Sequence, residues 1–407
     1  MHIVLLNQYY APDDAATAQI LADLGVGLAR AGHSVSAICS SRSYACPARR
    51  YPLSETLDGV RVRRAWSSAF GRRTRIGRAL DYATFLAGAA GRLALVERPD
   101  VIVSLSTPPL VAGLGAAFAR LRRARTLFWV MDVYPDLAFE LGALRPGSPI
   151  GRLASRVSDW ILSASDRVVA LDDAMAARLR LHSDVKVAVI PNWADGVAIR
   201  PLDPETSSLR KAWGWSERFV VLYSGNMGLA HEFGTVLDAA EALRDRSRVL
   251  FAFVGGGPRR DEVQEAVRHR GLSNVEFRPY VPRDRLGDSL AAGDVHLVTL
   301  REGMAGMLVP SKIYGILAAG RPTLYVGPPE GEIAEIAARS TCGRRIAPGN
   351  ARALADAVIE YAEDETRRRS DGESARRLFE ERYTKEGGLA RFQRLLEDLA
   401  AGAENSR

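Results

Sequence analysis

Short runs that are apolar throughout alternate with helix-length segments along almost the whole chain, and the pattern occurs twice. HIVLLN (2–7), SVSAIC (34–39), DVIVSL (100–105), TLFWVMD (126–132), RVVAL (167–171) and VAVIP (187–191) lack the period-two alternation of a half-exposed strand. Strands of this kind are covered on both faces, as in a parallel sheet layered between helices. VRVRRAW (60–66) does alternate and reads as a less buried strand. Residues 194–205 carry Pro, Asp and Gly without periodicity and read as a linker. The grammar then restarts with FVVLYSG (219–225), VLFAFVGGGP (249–258), NVEFRPYV (274–281), DVHLVTL (294–300) and TLYVG (323–327). Two doubly wound α/β domains follow, with ligands expected beyond the C-terminal strand ends. The expected divisions are 1–195, 196–380 and a terminal helix with tail, 381–407.

With 407 residues and 47% apolar content, the chain has enough material for two sizeable cores. A net charge of +7, mostly from Arg, suits an anionic membrane, an acidic substrate or nucleic acid. No aromatic–basic module supports nucleic acid as a partner. Cys39, Cys46 and Cys342 have no metal spacing; Cys39 and Cys46 are near enough in sequence to pair, but a reducing compartment fits better. His2, His33, His182, His269 and His296 show no metal spacing either, so no metal site is expected. Residues 1–7 read as a strand, not a signal peptide. Residues 101–119 are uncharged over about the length of a membrane span, but Pro108 and Pro109 break them into strand, loop and helix.

Three stretches of the second half fit a phosphate-bearing ligand. Ser224-Gly225-Asn226-Met227-Gly228 follows one strand and Gly255-Gly256-Gly257-Pro258 the next. VPSKIYGILAAGRP (309–322) forms a short helix with Lys312 in its first turn and a stop at Gly320 and Pro322. Glycines let a ligand approach the backbone, and free amides beside a cation favour an anion.

These stretches, with VVLYSGNMGLAHEFGTVLDAA (220–240), FVGGGPRRDEV (253–263) and VEFRPYVPRDRLGDSLAAGDVHLVTL (275–300), resemble the donor domain of family 4 GT-B glycosyltransferases. MHIVLLNQYYAPDDAATAQILADLGVGLARAGHSV (1–35) and FWVMDVYPDLAFELG (128–142) resemble the subgroup, similar to fucosaminyltransferases, that builds O-antigen, colanic acid and capsule repeats. The resemblance implies a GT-B fold whose two Rossmann-like domains face a cleft, the last helix returning to the first domain. It implies a retaining transferase that takes a sugar from a UDP-sugar and needs no cofactor beyond that donor. On this reading Gly225, Asn226, His231, Gly256, Tyr280, Met307, Leu308, Ser311, Lys312 and Tyr314 hold the donor. Lys312, Asp132 and Glu302 are the catalytic candidates, the two carboxylates contacting acceptor and donor hydroxyls. Ala16 and Thr17 fall on the acceptor side.

Five positions depart from the family pattern. Its ribose-gripping Glu is Gly315 here, and its earlier Glu falls on Met307. The common Arg after the first glycine turn is Asn226, and the Lys that follows is His231. Met131 stands where a His usually precedes the Asp. An altered donor grip accounts for these changes, with Glu302 as the substitute carboxylate; an inactive relative and a non-hydrolysing UDP-sugar 2-epimerase are the rival readings.

The stretch 70–95 is basic and amphipathic, with Arg72, Arg73, Arg75 and Arg78 ahead of an apolar face of Leu80, Phe85 and Leu86. Such helices lie on anionic lipid. The resemblance supplies the partner, an undecaprenyl-diphosphate-linked sugar, and the place, peripheral on the cytoplasmic face of the bacterial plasma membrane.

Overall fold

The computed structural model describes residues 1–44, 46–71, 74–339 and 341–404. The chain forms two compact units, Met1–Pro191 with Glu386–Arg407, and Asn192–Lys385. Each is built around one sheet.

The sheet of the first unit contains β1 (His2–Leu6), β2 (Ser34–Ser40), β3 (Ser54–Leu57), β4 (Val60–Ala65), β5 (Val101–Ser104), β6 (Arg125–Trp129), β7 (Arg167–Ala170) and β8 (Val187–Val189), in the order 3-4-2-1-5-6-7-8. All neighbours are parallel except β3 and β4. Ile3 to Leu6 and Val101 to Val103 are fully buried, as expected of strands covered on both faces. The uncharged 101–119 stretch is β5, a loop and the helix Val111–Arg122. Among the described residues no helix is long and apolar enough to cross a membrane.

β3 was not expected. Its burial alternates because it is an edge strand, and a two-residue turn with positive φ at Asp58 (45°) and Gly59 (85°) joins it to β4. Asp-Gly is the sequence signal for that turn.

The final helix, Lys385–Glu404, packs on this first unit. Phe392 meets Trp129 with ring centroids 4.3 Å apart, and Arg125 donates to the Gly402 carbonyl at 3.0 Å. Leu389 lies where a side chain at Gly27 would have to go.

The second sheet contains β9 (Phe219–Ser224), β10 (Val249–Val254), β11 (Val275–Arg278), β12 (Val295–Thr299), β13 (Thr323–Val326) and β14 (Gly343–Ile346). It is wholly parallel, in the order 11-10-9-12-13-14. The order reverses direction beside β9, so the loops after β9, β10 and β12 share the edge where such sheets bind ligands. β14 was also unexpected, because two of its four residues are arginines. Arg344 pairs with Glu360, and Arg345 donates to the Gly327 carbonyl at 3.0 Å. The three cysteines are free, with Cys39 buried and Cys46 exposed, so these two do not pair.

Candidate functional site

The glycine turns after β9 and β10 are built against each other. A Cβ on Gly255 would lie 2.2 Å from the Gly225 carbonyl oxygen, and one on Gly257 would lie 2.5 Å from Asn226 Oδ1. Both residues also have left-handed φ, 140° and 130°. Their glycines therefore serve turn-on-turn packing first, not ligand approach. The Gly225 amide donates to Val254 O (2.9 Å) and the Met227 amide to Gly256 O (2.6 Å). The Gly225 amide is therefore taken up by the fold and is not free to meet an anion. Among the described residues, the Asn226 and Gly228 amides carry no backbone hydrogen bond. Gly225 itself is open on one side: the nearest atoms to a Cβ there would be Lys312 Cε at 3.5 Å and Nζ at 3.8 Å.

Lys312 begins the helix Lys312–Ala318, which is only seven residues long. The cation matters more at this end than the dipole of so short a helix. Its Nζ is buried without a hydrogen-bond partner and lies 3.3 Å from the centroid of the Tyr223 ring. Burial holds the amine well below the ordinary lysine range.

His231 follows the first glycine turn. Its Nδ1 lies 2.6 Å from the Thr299 carbonyl, which can only accept, so Nδ1 carries the proton. Burial and the nearby Lys312 push this imidazole down to about 3, so it stays neutral. Nε2 is thus an acceptor. A sugar hydroxyl can donate to it; a phosphate oxygen, expected from the sequence, cannot be bound by it in this tautomer.

In the first unit the ends of β1, β5 and β6 adjoin. Gln8 N donates to Thr107 O at 2.8 Å, and the amides of Met131 and Asp132 both point at Ser106 Oγ, 3.2 Å away. Buried Asn7 Oδ1 and Gln8 Oε1 lack partners. Burial raises the Asp132 carboxyl to about 6, and Tyr134 is raised by burial and then by Asp132. A carboxylate titrating this close to neutrality, among unfilled acceptors, is equipped to meet hydroxyl groups.

Two family models divide the chain between them. Residues 16–193 match the glycosyl transferase 4-like domain, and residues 218–364 match the glycosyl transferases group 1 domain. The probable glycosyltransferase WbjE of Pseudomonas aeruginosa is 30% identical over 272 residues, 66% of this chain and 67% of that one. The chain belongs to this glycosyltransferase family. The putative colanic acid biosynthesis glycosyl transferase WcaI of Escherichia coli K12 is 27% identical over 339 residues, 79% of this chain and 82% of WcaI. Anabaena HepE, solved with UDP-glucose, shares the GT-B architecture at a TM-score of 0.74 with 17% identity, covering 98% of this chain and 100% of HepE.

Other sequence candidates of the transferase fall in varied places. Ser311 is exposed beside Lys312, and its side chain makes no capping hydrogen bond. Tyr280 is largely exposed, with its ring edge 3.1 Å from where a Gly256 Cβ would be. Leu308 is half-buried, whereas Met307 is buried in the loop before the helix. Tyr314 is a correction: it is buried, and its hydroxyl donates to Glu332 at 2.8 Å, so its side chain serves the fold. Glu302 is exposed on the loop after β12. A Cβ at Gly315 would meet Leu290 and Ile199 at 3.4 and 3.9 Å, ordinary van der Waals distances, so glycine here is not forced by crowding. Tyr223 was missed; its only signal was its place one residue before the glycine turn. Ala16 is exposed and Thr17 half-buried in the first turn of the helix Ala16–Arg30. Among the described residues no group of three His, Cys, Asp or Glu is placed to hold a metal ion.

The helix Arg75–Ala94 corrects the lipid-facing reading. Phe85, Ala89 and Leu93 are fully buried in the core of the first unit, with Leu86 packed against them. Exposed apolar residues cluster around its N-terminal end, Phe70, Ile76 and Leu80 beside exposed Arg78, while exposed Trp66 lies next to Gly88 and exposed Leu95 caps the C-terminal end. The Asp81 carboxylate ties this tip together, accepting from Ser68 Oγ and the amides of Phe70 and Gly71 at 2.7–3.0 Å. Arg72, Arg73 and the Arg75 side chain lie outside the described residues.

Proposed function

We propose that this glycosyltransferase moves a sugar, with retention, from a UDP-sugar to a polyprenyl-diphosphate-linked saccharide in bacterial surface polysaccharide synthesis. The donor sugar on this reading is an N-acetylated or deoxy amino sugar. The observation that carries it is the Lys312 amine, buried without a hydrogen-bond partner beside Gly225. A spare buried cation at the ligand edge of a parallel sheet is suited to the charge that develops on a leaving diphosphate. HepE, of the same architecture, was solved with UDP-glucose, and WcaI is named for colanic acid synthesis.

In this mechanism the bond from C1 to the diphosphate oxygen breaks as the acceptor oxygen bonds C1 on the same face. The hydroxyl proton passes to the departing diphosphate. Lys312 and the Asn226 amide stabilise that diphosphate, and His231 Nε2 accepts a donor-sugar hydroxyl. Asp132 accepts a hydrogen bond from the acceptor, and Glu302 remains the candidate for a donor hydroxyl. The chain's work is positioning and electrostatics rather than covalent chemistry. The Phe70–Ile76–Leu80 tip, with Arg78, inserts at the anionic inner leaflet where such an acceptor resides.

UDP should raise the melting temperature of the wild type by clearly more than that of Lys312→Ala. The same substitution should cut transfer by orders of magnitude; near-normal turnover would sink the assignment. Flotation with anionic vesicles should weaken in a Phe70→Ser, Ile76→Ser double variant.

A further inference from the structure

The geometry points to Tyr223 as the positioning residue of the donor site: its ring face holds the Lys312 ammonium, and its hydroxyl fixes the Gly225–Asn226 turn to the same ring. This rests on the reading of Lys312 as the diphosphate-binding cation. Tyr223 is the penultimate residue of β9 and is fully buried. Its ring is held edge-on by Phe233 (5.3 Å, 66°) and His231 (6.0 Å, 85°) and is tilted against Phe253 (5.7 Å). It has no freedom to move away from the lysine. Its hydroxyl donates to the Asn226 carbonyl at 2.8 Å, which anchors the turn that lies against Lys312. One side chain thus sets the distance between the cation and the backbone that flanks it.

The choice of an aromatic partner has a chemical reason. A buried ammonium needs compensation, and the face of an aromatic ring supplies it. A carboxylate partner would neutralise the charge and occupy its N–H donors, so a diphosphate would first have to displace it. The ring does neither. The three ammonium donors stay unfilled, as the absence of any hydrogen bond to Nζ shows. Without the ring, the amine would give up its proton more readily, and binding an anion would require taking the proton back.

The test is calorimetric titration of the full chain with UDP, with Tyr223 replaced by Phe and then by phenylalanines carrying one, two and three ring fluorines. Fluorination preserves ring shape and weakens the ring quadrupole, so folding is not at issue. Tyr223→Phe should lower affinity a few-fold through the freed turn. Each fluorine should lower it further, to ten-fold or more for the trifluorinated ring, and the loss should be larger at pH 8.5 than at pH 7. In a Lys312→Met background the fluorine series should be flat. A flat series in the presence of Lys312, or an equal fall in the Lys312→Met background, overturns the role of Tyr223 while leaving the donor site in place. A wild-type protein that binds neither UDP nor inorganic pyrophosphate overturns the donor reading itself, and this role with it.

Discussion

Tyr314 donates to one oxygen of Glu332 at 2.8 Å, and Tyr383 donates to the other at 3.0 Å. The two rings are 5.3 Å apart. The helix bearing Lys312 is thereby tied to Glu332 at the start of the helix Glu332–Arg339 and to the end of the helix Glu365–Arg382. The hydroxyl of Tyr314 is committed to the fold. Tyr314→Phe should therefore lower unfolding free energy by about 1 kcal/mol, the usual net value of one hydrogen bond. It should leave the UDP dissociation constant unchanged. Denaturant titration and calorimetry on the same variant separate the two quantities.

Gly255 and Gly225 impose a sharper constraint. Any side chain at 255 begins 2.2 Å from a backbone oxygen and must adopt a left-handed φ of 140°. Neither problem is relieved by a rotamer change. Gly255→Ala should destabilise the second unit by on the order of 3 kcal/mol. Gly214→Ala shares only the positive φ, with open space around it, and should cost about 1 kcal/mol. Comparable losses in chemical denaturation would show that turn-on-turn contact is not the reason for glycine at 255.

Much of this fold was legible because buried parallel strands advertise themselves as uninterrupted apolar runs. The two strands that escaped notice are those where other forces hide the pattern. In β3 half the residues face solvent, and only Asp58-Gly59 announces the hairpin. In β14 two arginines, one half-buried and one exposed, break the apolar run and are held by distant partners, Glu360 and the Gly327 carbonyl. The site divides in the same way. Lys312 stood out by its place in a motif, and structure gives it a buried amine without a hydrogen bond, over the Tyr223 ring. Tyr223 did not stand out, because a buried tyrosine in a strand has the same pattern whether it packs or positions. The apolar stripe of the Arg75–Ala94 helix was visible, but a helical pattern does not say whether Phe85 faces a core or a lipid surface.

The state of His231 leads to a prediction about selectivity. Its Nδ1 proton is held by Thr299 O, and the ring titrates at about 3. No step between pH 5 and 8 should therefore come from this residue. In the proposed mechanism it accepts a sugar hydroxyl, and so contributes to the donor and not to the bare nucleotide. His231→Ala should raise KM for the UDP-sugar roughly ten-fold, the scale of one lost hydrogen bond. It should leave the dissociation constant of UDP within two-fold. Equal losses for UDP and UDP-sugar would place the residue at the phosphates instead.

In the proposed mechanism Asp132 sets the acid side of the pH profile. Its carboxyl is raised to about 6 by burial, so it is protonated below that value and ionised above it. Only the ionised form accepts a hydrogen bond at both oxygens. The kcat/KM for acceptor should rise with pH through about 6 and level off above it, and Asp132→Asn should give a lower, flat profile over the same range. Stability should move the other way. The unfolded carboxyl titrates near 3.8, so between 3.8 and about 6 the folded chain holds a proton that the unfolded chain has released. The favourable contribution of the protonated group is complete below 3.8 and disappears as pH rises through 6. Asp132→Asn should accordingly stabilise the protein at pH 7 relative to wild type and give no such gain at pH 3.5. Parallel denaturation curves at the two pH values test this. An identical difference at both would mean that Asp132 is already solvated and ionises normally, and the pH profile of transfer would then have to come from another group.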